Sequence, residues 1–491
     1  MTETVKSKKG RVALIGAGPG DAGLFTLRGR ELLEAADCVV YDRLVGDGVL
    51  AMMPESAEKI NVGKTGGGHQ TPQREIEEIL VTKALEGKKV ARLKGGDPFL
   101  FGRGGEEIEA LNQAGIPFEV VPGVTSATGG PACAGIPVTH RGLARSVHII
   151  TAHTKEGTIA PLDYEALAKL DGTLIFLMGA SSVAEICASL TAAGLSPETP
   201  AAAVENATTA AQRVLSGTLA ALTSICKEKK LQSPALIMVG AVTALSEAFA
   251  WKKFLPLSGL KVIVTRPRER AGRLSSLLRS RGAEVVELPC IKTRRIEAAL
   301  PPLSDFDWLG FTSITGVEAF FAQLADEGRD IREAAGAKTA AIGPATAEAL
   351  RSRGIAVDLM PEVYDGLHLA QALSVAASGE KLLMLRAKEG SRELTEALEA
   401  SGLAFTELPL YETLPEKPAA VPEKADCALF TSASTVRAFR AAMSPETVTT
   451  ACCIGAQTAA AARSSGFNNV ITASQATLES LIDALEDYKK C

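Results

Sequence analysis

Two oppositely charged side chains stand where they could exchange protons with a bound molecule. Asp42 follows the apolar run VVY, and Lys64 follows the short run NVG. Short β-branched runs are typical of strands, and ligands of open α/β sheets bind at the carboxyl ends of the strands. A carboxylate and an ammonium at neighbouring strand ends can act as base and acid. The alternative is a surface ion pair, which is the commoner arrangement for an Asp and a Lys taken blindly.

The stretch RLKGGDPFLFGRGGEE, from Arg92 to Glu107, is the most informative one for function. It follows a basic strand end and precedes a helical run, so it is predicted to be a wide loop at the carboxyl end of a strand. Gly95 and Gly96 let the backbone approach a ligand with its amide groups bare. Asp97 is placed to accept hydrogen bonds from a hydroxyl pair or an ammonium. For a GGDP taken alone, a plain turn is the alternative.

A second glycine loop follows the first predicted strand, in the sequence RVALIGAGPGD. Pro19 and Asp21 interrupt the G-x-G-x-x-G spacing of a dinucleotide-binding fingerprint. The loop is therefore a weak indication of a nicotinamide site.

Together these segments resemble the uroporphyrinogen-III C-methyltransferases of the tetrapyrrole methylase family. The matching motifs, in order, are GAGPGD, YDRLV, VGK, RLKGGDPFLFGRGGEE, VPGVTSATGGPACAGIPVTHR, FLMG, VEN and SPALIMVG. The resemblance implies a methylase over residues 10–251, built from two α/β domains at about 10–122 and 123–251. It also implies S-adenosylmethionine in the cleft between them, the tetrapyrrole alongside, and a homodimer formed through this half.

The resemblance implies roles for single residues of this chain. Asp42 matches the proton acceptor and Lys64 the proton donor, because a pyrrole carbon must lose a proton as it is alkylated. The implied cofactor positions are Pro19, Gly95, Gly96, Asp97, Leu100, Thr125, Ser126, Met178 and Ala207. Ala207 departs from the usual VENGT, and we expect the added methyl to be tolerated if its φ is negative.

The C-terminal half carries an internal repeat in the order A, B, A′, B′. The segment that starts KVIVTRP at Lys261 returns about 120 residues later as KLLMLRA at Lys381. The segment WLGFTS at Trp308 returns as CALFTS at Cys427. Each copy alternates a short apolar strand with a helix, and two copies are too few for a solenoid. Two similar α/β lobes are therefore predicted.

Hydroxyl side chains follow a predicted strand in both copies, at Thr312 and Ser313 and again at Thr431 and Ser432. Together with the next helix N-terminus they suit carboxylates or phosphates, and their pairing in both copies favours a binding site. For any single residue, capping its own helix is the commoner role.

With TRP near its start, two FTS turns, two IG…TA turns and PLYET, residues 259–488 resemble uroporphyrinogen-III synthase. The resemblance implies a chain that crosses between lobes after a linker at 252–258. Lobe 1 would contain about 259–290 and 414–488, and lobe 2 about 291–413. Tyr411 matches the tyrosine that assists departure of the substrate hydroxyl. The implied cleft residues are Thr312, Ser313, Ser432 and Thr458. The absence of a strong acid–base dyad fits a reaction governed by binding geometry.

Length and net charge limit the number of domains and the kinds of molecule that the chain is expected to bind. At 491 residues the chain has room for three or four domains of roughly 150 residues each. Its 52 basic and 57 acidic side chains give a net charge of −5, which disfavours nucleic acid and anionic membranes. A polyanionic tetrapyrrole must then be attracted locally. The candidate side chains are Arg92, Arg103 and Arg141, with Lys94, His140 and Arg145 beside them.

Cysteine usage and the N-terminus indicate a cytoplasmic protein. The nine cysteines show no C-x-x-C and no histidine at ligand spacing, which predicts reduced thiols and no metal site. A short polar stretch leads into the first strand, so no signal peptide is expected, and no apolar run is long enough to span a bilayer.

These features predict a bifunctional enzyme. The C-terminal half would cyclise hydroxymethylbilane to uroporphyrinogen III, and the N-terminal half would methylate that product twice to precorrin-2. Two alternatives stay open. The C-terminal half could be a catalytically silent tetrapyrrole-binding module, or the methylase could act on another tetrapyrrole.

Overall fold

The predicted α/β class is confirmed. The computed structural model describes residues 9–63, 71–152, 162–444 and 446–490. Within these residues the chain forms four five-stranded sheets, two in each half, with helices between the strands. None of the helices in these ranges is long and apolar enough to cross a bilayer.

The first sheet is parallel and has the order β3-β2-β4-β1-β5. Its strands are β1 (Arg11–Gly16), β2 (Cys38–Tyr41), β3 (Glu58–Asn61), β4 (Lys89–Lys94) and β5 (Phe118–Val121). Its helices are α1 (Leu27–Glu34), α2 (Asp47–Leu50), α3 (Gln73–Leu85) and α4 (Gly104–Gln113). The inner strands β1 and β4 are buried beyond their first residue, as expected of a sheet covered on both faces. The loops after β1, β2 and β4 leave from the same edge, where ligands of such sheets bind.

The second sheet is mixed, with the order β6-β7-β10-β8-β9. Its elements are α5 (Ser126–Cys133), β6 (Val147–Thr151), α6 (Tyr164–Ala168), β7 (Thr173–Leu177), α7 (Val183–Ala192), β8 (Pro200–Glu205), β9 (Arg213–Thr218), α8 (Leu219–Glu228) and β10 (Ala235–Val239). Strands β6 and β7 are parallel, while β10 runs antiparallel to both β7 and β8. An apolar cluster on one face of this sheet also contacts α5 and lies next to the loop after β4.

The C-terminal half forms the third and fourth sheets. Its elements, in chain order, are β11 (Lys261–Val264), α9 (Arg268–Ser280), β12 (Glu284–Glu287), β13 (Ile291–Arg295), β14 (Trp308–Phe311), α10 (Ile314–Asp326), β15 (Lys338–Ala341), α11 (Pro344–Arg351), α12 (Gly366–Ala376), β16 (Lys381–Ala387), α13 (Arg392–Ser401), β17 (Ala404–Pro415), β18 (Cys427–Phe430), α14 (Ala433–Ala442), β19 (Thr450–Cys453), α15 (Ala456–Ser464), β20 (Asn469–Thr472) and α16 (Leu478–Lys490).

The third sheet has the order β12-β11-β18-β19-β20, and the fourth has the order β13-β17-β16-β14-β15. The first repeat segment therefore shares a sheet with the fourth, and the second shares one with the third. Only β13 of these strands pairs antiparallel among the described residues. Leu257, inside the predicted linker, is fully buried in the core of the third sheet.

The chain folds into two compact units. One unit extends to Pro289 and resumes at Lys417, and the other is Cys290–Glu416. The first unit holds the first three sheets, so part of the C-terminal half belongs to the same unit as the N-terminal half. The second unit holds the fourth sheet.

Candidate active sites

The two glycine loops of the first sheet are bound to each other through their backbones. The Gly96 N–H donates to the Gly18 carbonyl at 2.8 Å, and the Gly18 N–H donates back to the Gly96 carbonyl at 3.2 Å. Gly96 has a φ of 69°, which favours glycine. A Cβ on Gly16 would lie 2.5 Å from the Gly123 Cα, so the loop after β5 joins this contact as well. Three segments thus present bare backbone at one sheet edge.

Asp97 links the loops after β4 and β5 through hydrogen bonds. Its Oδ1 accepts from the Phe99 and Leu100 N–H groups at 2.8 and 3.2 Å. Its Oδ2 accepts from the Gly123 N–H at 3.0 Å. The predicted role was contact with a ligand. The structure gives the carboxylate a positioning role, and Oδ2, which accepts one hydrogen bond, keeps a second lone pair for a ligand donor.

Thr125 and Ser126 begin the helix that faces these loops. The Thr125 hydroxyl caps α5 by accepting from the Ala127 N–H at 3.3 Å. A Cβ on Gly96 would point at the Thr125 Cα, 3.8 Å away. Pro19, in the loop after β1, packs against the same helix, because a Cβ on Gly129 would be 3.1 Å from the proline Cγ.

Met178 belongs to the second domain. Met178 follows β7 with a φ of 57°, and its side chain is half exposed. A left-handed conformation at a non-glycine residue costs about 1–2 kcal/mol, and such strain clusters at functional sites. Leu100 and Ala207 pack against the same apolar cluster, from the loops after β4 and β8.

The loop after β8 bonds to the loop after β1. The buried Thr208 Oγ1 accepts from the Asp21 N–H at 3.1 Å. Asn206 and Thr208 have positive φ values of 47° and 72°, whereas Ala207 between them does not. The condition for tolerating its methyl group is therefore met. Direct contacts thus link the segments that carry Pro19, Gly95, Gly96, Asp97, Leu100, Thr125, Ser126 and Ala207. Met178 lies just after β7, and cofactor binding by all nine residues stays a prediction.

Asp42 is the outer end of a buried charge cluster. The Arg92 guanidinium lies 2.9 Å from Asp42 Oδ1 and 3.0 Å from Glu107 Oε1. Lys94 Nζ lies 2.7 Å from the same Glu107 oxygen. Arg92 is 2% exposed, whereas the Asp42 side chain is 30% exposed. Burial and the neighbouring Arg92 lower the pKa of Lys94. Two cations thus balance two carboxylates, and of these four side chains only Asp42 is partly exposed.

This cluster corrects one prediction. Arg92 and Lys94 were predicted to attract substrate carboxylates, but their donors face Glu107 and Asp42 inside the fold. Arg92 is therefore a positioning residue for Asp42. Arg103 pairs with Glu106 at 2.6 Å and stays exposed.

Arg141 is also exposed, and contact of Arg103 and Arg141 with substrate carboxylates stays a prediction. Lys64, the predicted proton donor, lies outside the described residues.

Glu107 was missed by sequence reasoning. It is fully buried and lies in the first turn of α4. The available signal was the pair Arg92 and Lys94, two residues apart on a buried strand, because buried cations need a buried counter-charge.

In the second compact unit, Tyr411 and Ser313 form a hydroxyl pair. The two oxygens are 2.8 Å apart, and Tyr411 is nearly buried. Ser313 also caps α10 by accepting from the Gly316 N–H at 3.0 Å. One side chain therefore caps a helix and also bonds to Tyr411. Thr312 precedes it at the end of β14.

In the first compact unit, the equivalent hydroxyls follow β18 and β19. Ser432 caps α14 by accepting from the Thr435 N–H at 3.3 Å, and it lies 2.9 Å from the Ser434 hydroxyl. Thr458 is buried in the first turn of α15.

Comparison with known proteins finds a matching family for each half of the chain. A family model of tetrapyrrole (corrin/porphyrin) methylases matches residues 11–223, and one of uroporphyrinogen-III synthase HemD matches residues 272–483. The porphyrin biosynthesis protein HemD of Ruminiclostridium josui is 44% identical over 492 residues, which cover 97% of each chain. The chain belongs to this HemD family. It is a bifunctional tetrapyrrole biosynthesis enzyme that joins a methyltransferase to a uroporphyrinogen-III synthase, a lyase.

Other relatives match the N-terminal half of this HemD family member. The siroheme synthase of Citrobacter koseri is 51% identical over 243 residues, or 50% of this chain, and the chain spans 52% of that relative's length. A crystal structure of uroporphyrin-III C-methyl transferase from Thermus thermophilus, complexed with S-adenyl homocysteine, is 40% identical. It covers 48% of this chain and 100% of its own, with a TM-score of 0.42.

Proposed function

We propose that the N-terminal half methylates uroporphyrinogen III twice with S-adenosylmethionine to give precorrin-2. The C-terminal half would make that uroporphyrinogen III from hydroxymethylbilane. The methylase would span residues 10–251, and the synthase 259–488 with lobes at about 259–290 plus 414–488 and 291–413. One observation carries the methylase part: Asp42, held by the buried Arg92, stands one strand away from the bare backbone of Gly96.

The residues fit the proposed cofactor. Gly16 and Gly123 let the loops pack backbone against backbone, with no room for side chains between them. An added Cβ on Gly96 would have its nearest neighbour 3.8 Å away, so a flat ligand can lie beside this glycine. The exposed Met178 adds an apolar surface, and Thr125 adds a hydroxyl. S-adenosylmethionine would supply an electrophilic methyl group there.

Asp42 would take the proton that leaves the pyrrole carbon as the new carbon–carbon bond forms. Arg92, which holds this carboxylate, is itself fixed in position, because its other N–H groups donate to Glu107 and to the Leu93 carbonyl. The carboxylate is thus aimed before substrate arrives, which reduces the reorganisation needed in the reaction. Lys64 would return a proton or balance charge.

In the synthase half, the Tyr411 hydroxyl would donate to the departing hydroxyl of the bilane, with Ser313 fixing its direction. Thr312, Ser432 and Thr458 are the further substrate-binding residues that the family resemblance implies. Arg103 and Arg141 would meet carboxylates of the methylase substrate. We further propose a homodimer formed through the methylase half and a cytoplasmic location, both on the basis of the family resemblance.

The proposal is tested by incubating the protein with hydroxymethylbilane and S-adenosylmethionine, with products followed by absorbance and mass. Precorrin-2 is the expected product.

A further inference from the structure

Two charged residues of the third sheet contact the methylase half. Lys261 Nζ lies 2.8 Å from Asp47 Oδ2 and 3.2 Å from Glu284 Oε1. The other Glu284 oxygen accepts from the Ala210 N–H at 2.6 Å. The Glu284 side chain is only 9% exposed. Burial alone would lower the pKa of Lys261, but Glu284 and Asp47 raise it overall, so the ammonium stays charged at neutral pH.

Both contacted segments lead directly to the proposed methylase site. Asp47 is the first residue of α2, which the loop from Asp42 enters. A Cβ on Gly46 would lie 2.1 Å from the Gly20 carbonyl oxygen, so this loop packs on the loop after β1. Ala210 ends the segment that carries Ala207. Lys261 and Glu284 together therefore hold a loop from each methylase domain.

The α2 segment depends on this support. A helix of four residues has little stability of its own, because its few hydrogen bonds do not offset the free-energy cost of nucleation. It lies beside the edge strand β12, where a Cβ on Gly48 would be 3.1 Å from the Val285 carbonyl oxygen. Just beyond α2, Arg268 donates to the Ala51 carbonyl at 3.1 Å. The C-terminal half thus fixes the path of the chain after Asp42.

We infer that Lys261 and Glu284 are positioning residues for methyl transfer, and that the first lobe of the synthase half completes the methylase site. They set the Asp42 loop and the Ala207 loop relative to each other from outside the cleft. The inference rests on the proposed methylase function. It requires no movement between the two compact units, since every contact lies within the first one.

Full-length variants Lys261→Met and Glu284→Ala test it. Lys261→Met should lower the kcat of methylation about tenfold to a hundredfold, because small displacements of a catalytic group cost this much. Its KM for S-adenosylmethionine should stay near that of the parent protein. Glu284→Ala should raise the Kd of S-adenosylhomocysteine about tenfold, because it removes a charged hydrogen bond to the cofactor-side loop. Lys261→Arg should restore most of the methylation rate.

Arg273→Met is the matched control, since it removes a cation of the same lobe from an exposed pair with Glu479. It should leave methylation unchanged. Formation of uroporphyrinogen III without S-adenosylmethionine should be unchanged in all these variants. A parental kcat in Lys261→Met would overturn the inference. Parallel loss of methylation, ring closure and thermal stability, without rescue by Lys261→Arg, would also overturn it by assigning a purely structural role.

Failure of the proposed function would look different. The unmutated protein would then bind no S-adenosylhomocysteine or transfer no methyl group to uroporphyrinogen III. If the unmutated protein does both and the variants match it, only the positioning inference fails.

Discussion

The guanidinium of Arg92 lies 2.9 Å from the carboxylate of Asp42 and reaches it from inside the fold. This arrangement holds a partly exposed carboxylate in place while its cationic partner stays out of water. In its proposed role as proton acceptor, the carboxylate would need no movement to become oriented.

Asp42→Asn should therefore separate binding from chemistry. Methyl transfer should fall by about two to four orders of magnitude, because the amide cannot accept the ring proton. The Kd of S-adenosylhomocysteine, measured by calorimetry, should stay within about twofold of the parental value. Weakened cofactor binding with normal turnover would instead give Asp42 a structural role.

Arg92→Met should destabilise the fold as well as slow methylation. It leaves Glu107 with one cation in place of two, and breaking a buried pair from one side costs about 3–5 kcal/mol. Denaturant unfolding measures this loss. The double variant Arg92→Met with Glu107→Gln should lose further stability, because Lys94 is then buried without its carboxylate partner. It should recover none of the activity, since Asp42 still lacks the cation that orients it. Full recovery of activity in the double variant would contradict the positioning role.

Gly96→Val should abolish cofactor binding without unfolding the chain. Its φ of 69° is strained for a branched residue, and the new side chain would point into the space before Thr125. Gly194→Val is the matched control, because Gly194 also has a positive φ and nothing within 4 Å of an added Cβ. Calorimetric binding of S-adenosylhomocysteine should be lost only in the first variant. Normal binding by Gly96→Val would remove this edge from the cofactor site.

Tyr411→Phe should slow ring closure while the second compact unit stays folded. It removes one hydroxyl that lies 2.8 Å from the Ser313 hydroxyl, and nothing else. The assay uses the full chain with hydroxymethylbilane and no S-adenosylmethionine. Ser313→Ala should slow the reaction less, and the double variant should resemble Tyr411→Phe alone. If the parent protein yields only the type-I isomer, the C-terminal half is a binding module and not a synthase.

Much of the fold could be predicted because local patterns agree with the tertiary structure. The repeat order gave two lobes, and the sheets join β11 with β18 and β14 with β16 accordingly. The glycine loops could be placed because parallel strands end at one sheet edge.

The inward direction of Arg92 could not be predicted in the same way. On a strand, neighbouring side chains alternate between faces, and because both faces of this sheet are covered, alternation alone does not tell what each side chain contacts. The partner Glu107 lies on a different element, so its role depended on the packing of α4.

The contact of Lys261 with Asp47 was also beyond sequence reasoning. The two residues lie 214 positions apart, and although Lys261 opens a repeat segment, nothing in the sequence connects it with Asp47. Such contacts depend on how complete domains pack.

The account is tested most directly by one incubation of the unmutated protein with hydroxymethylbilane and methyl-labelled S-adenosylmethionine. Mass and absorbance should identify precorrin-2 with two labelled methyl groups, derived from the type-III isomer. An unmethylated product, or a methylated product derived from the type-I isomer, would contradict the account.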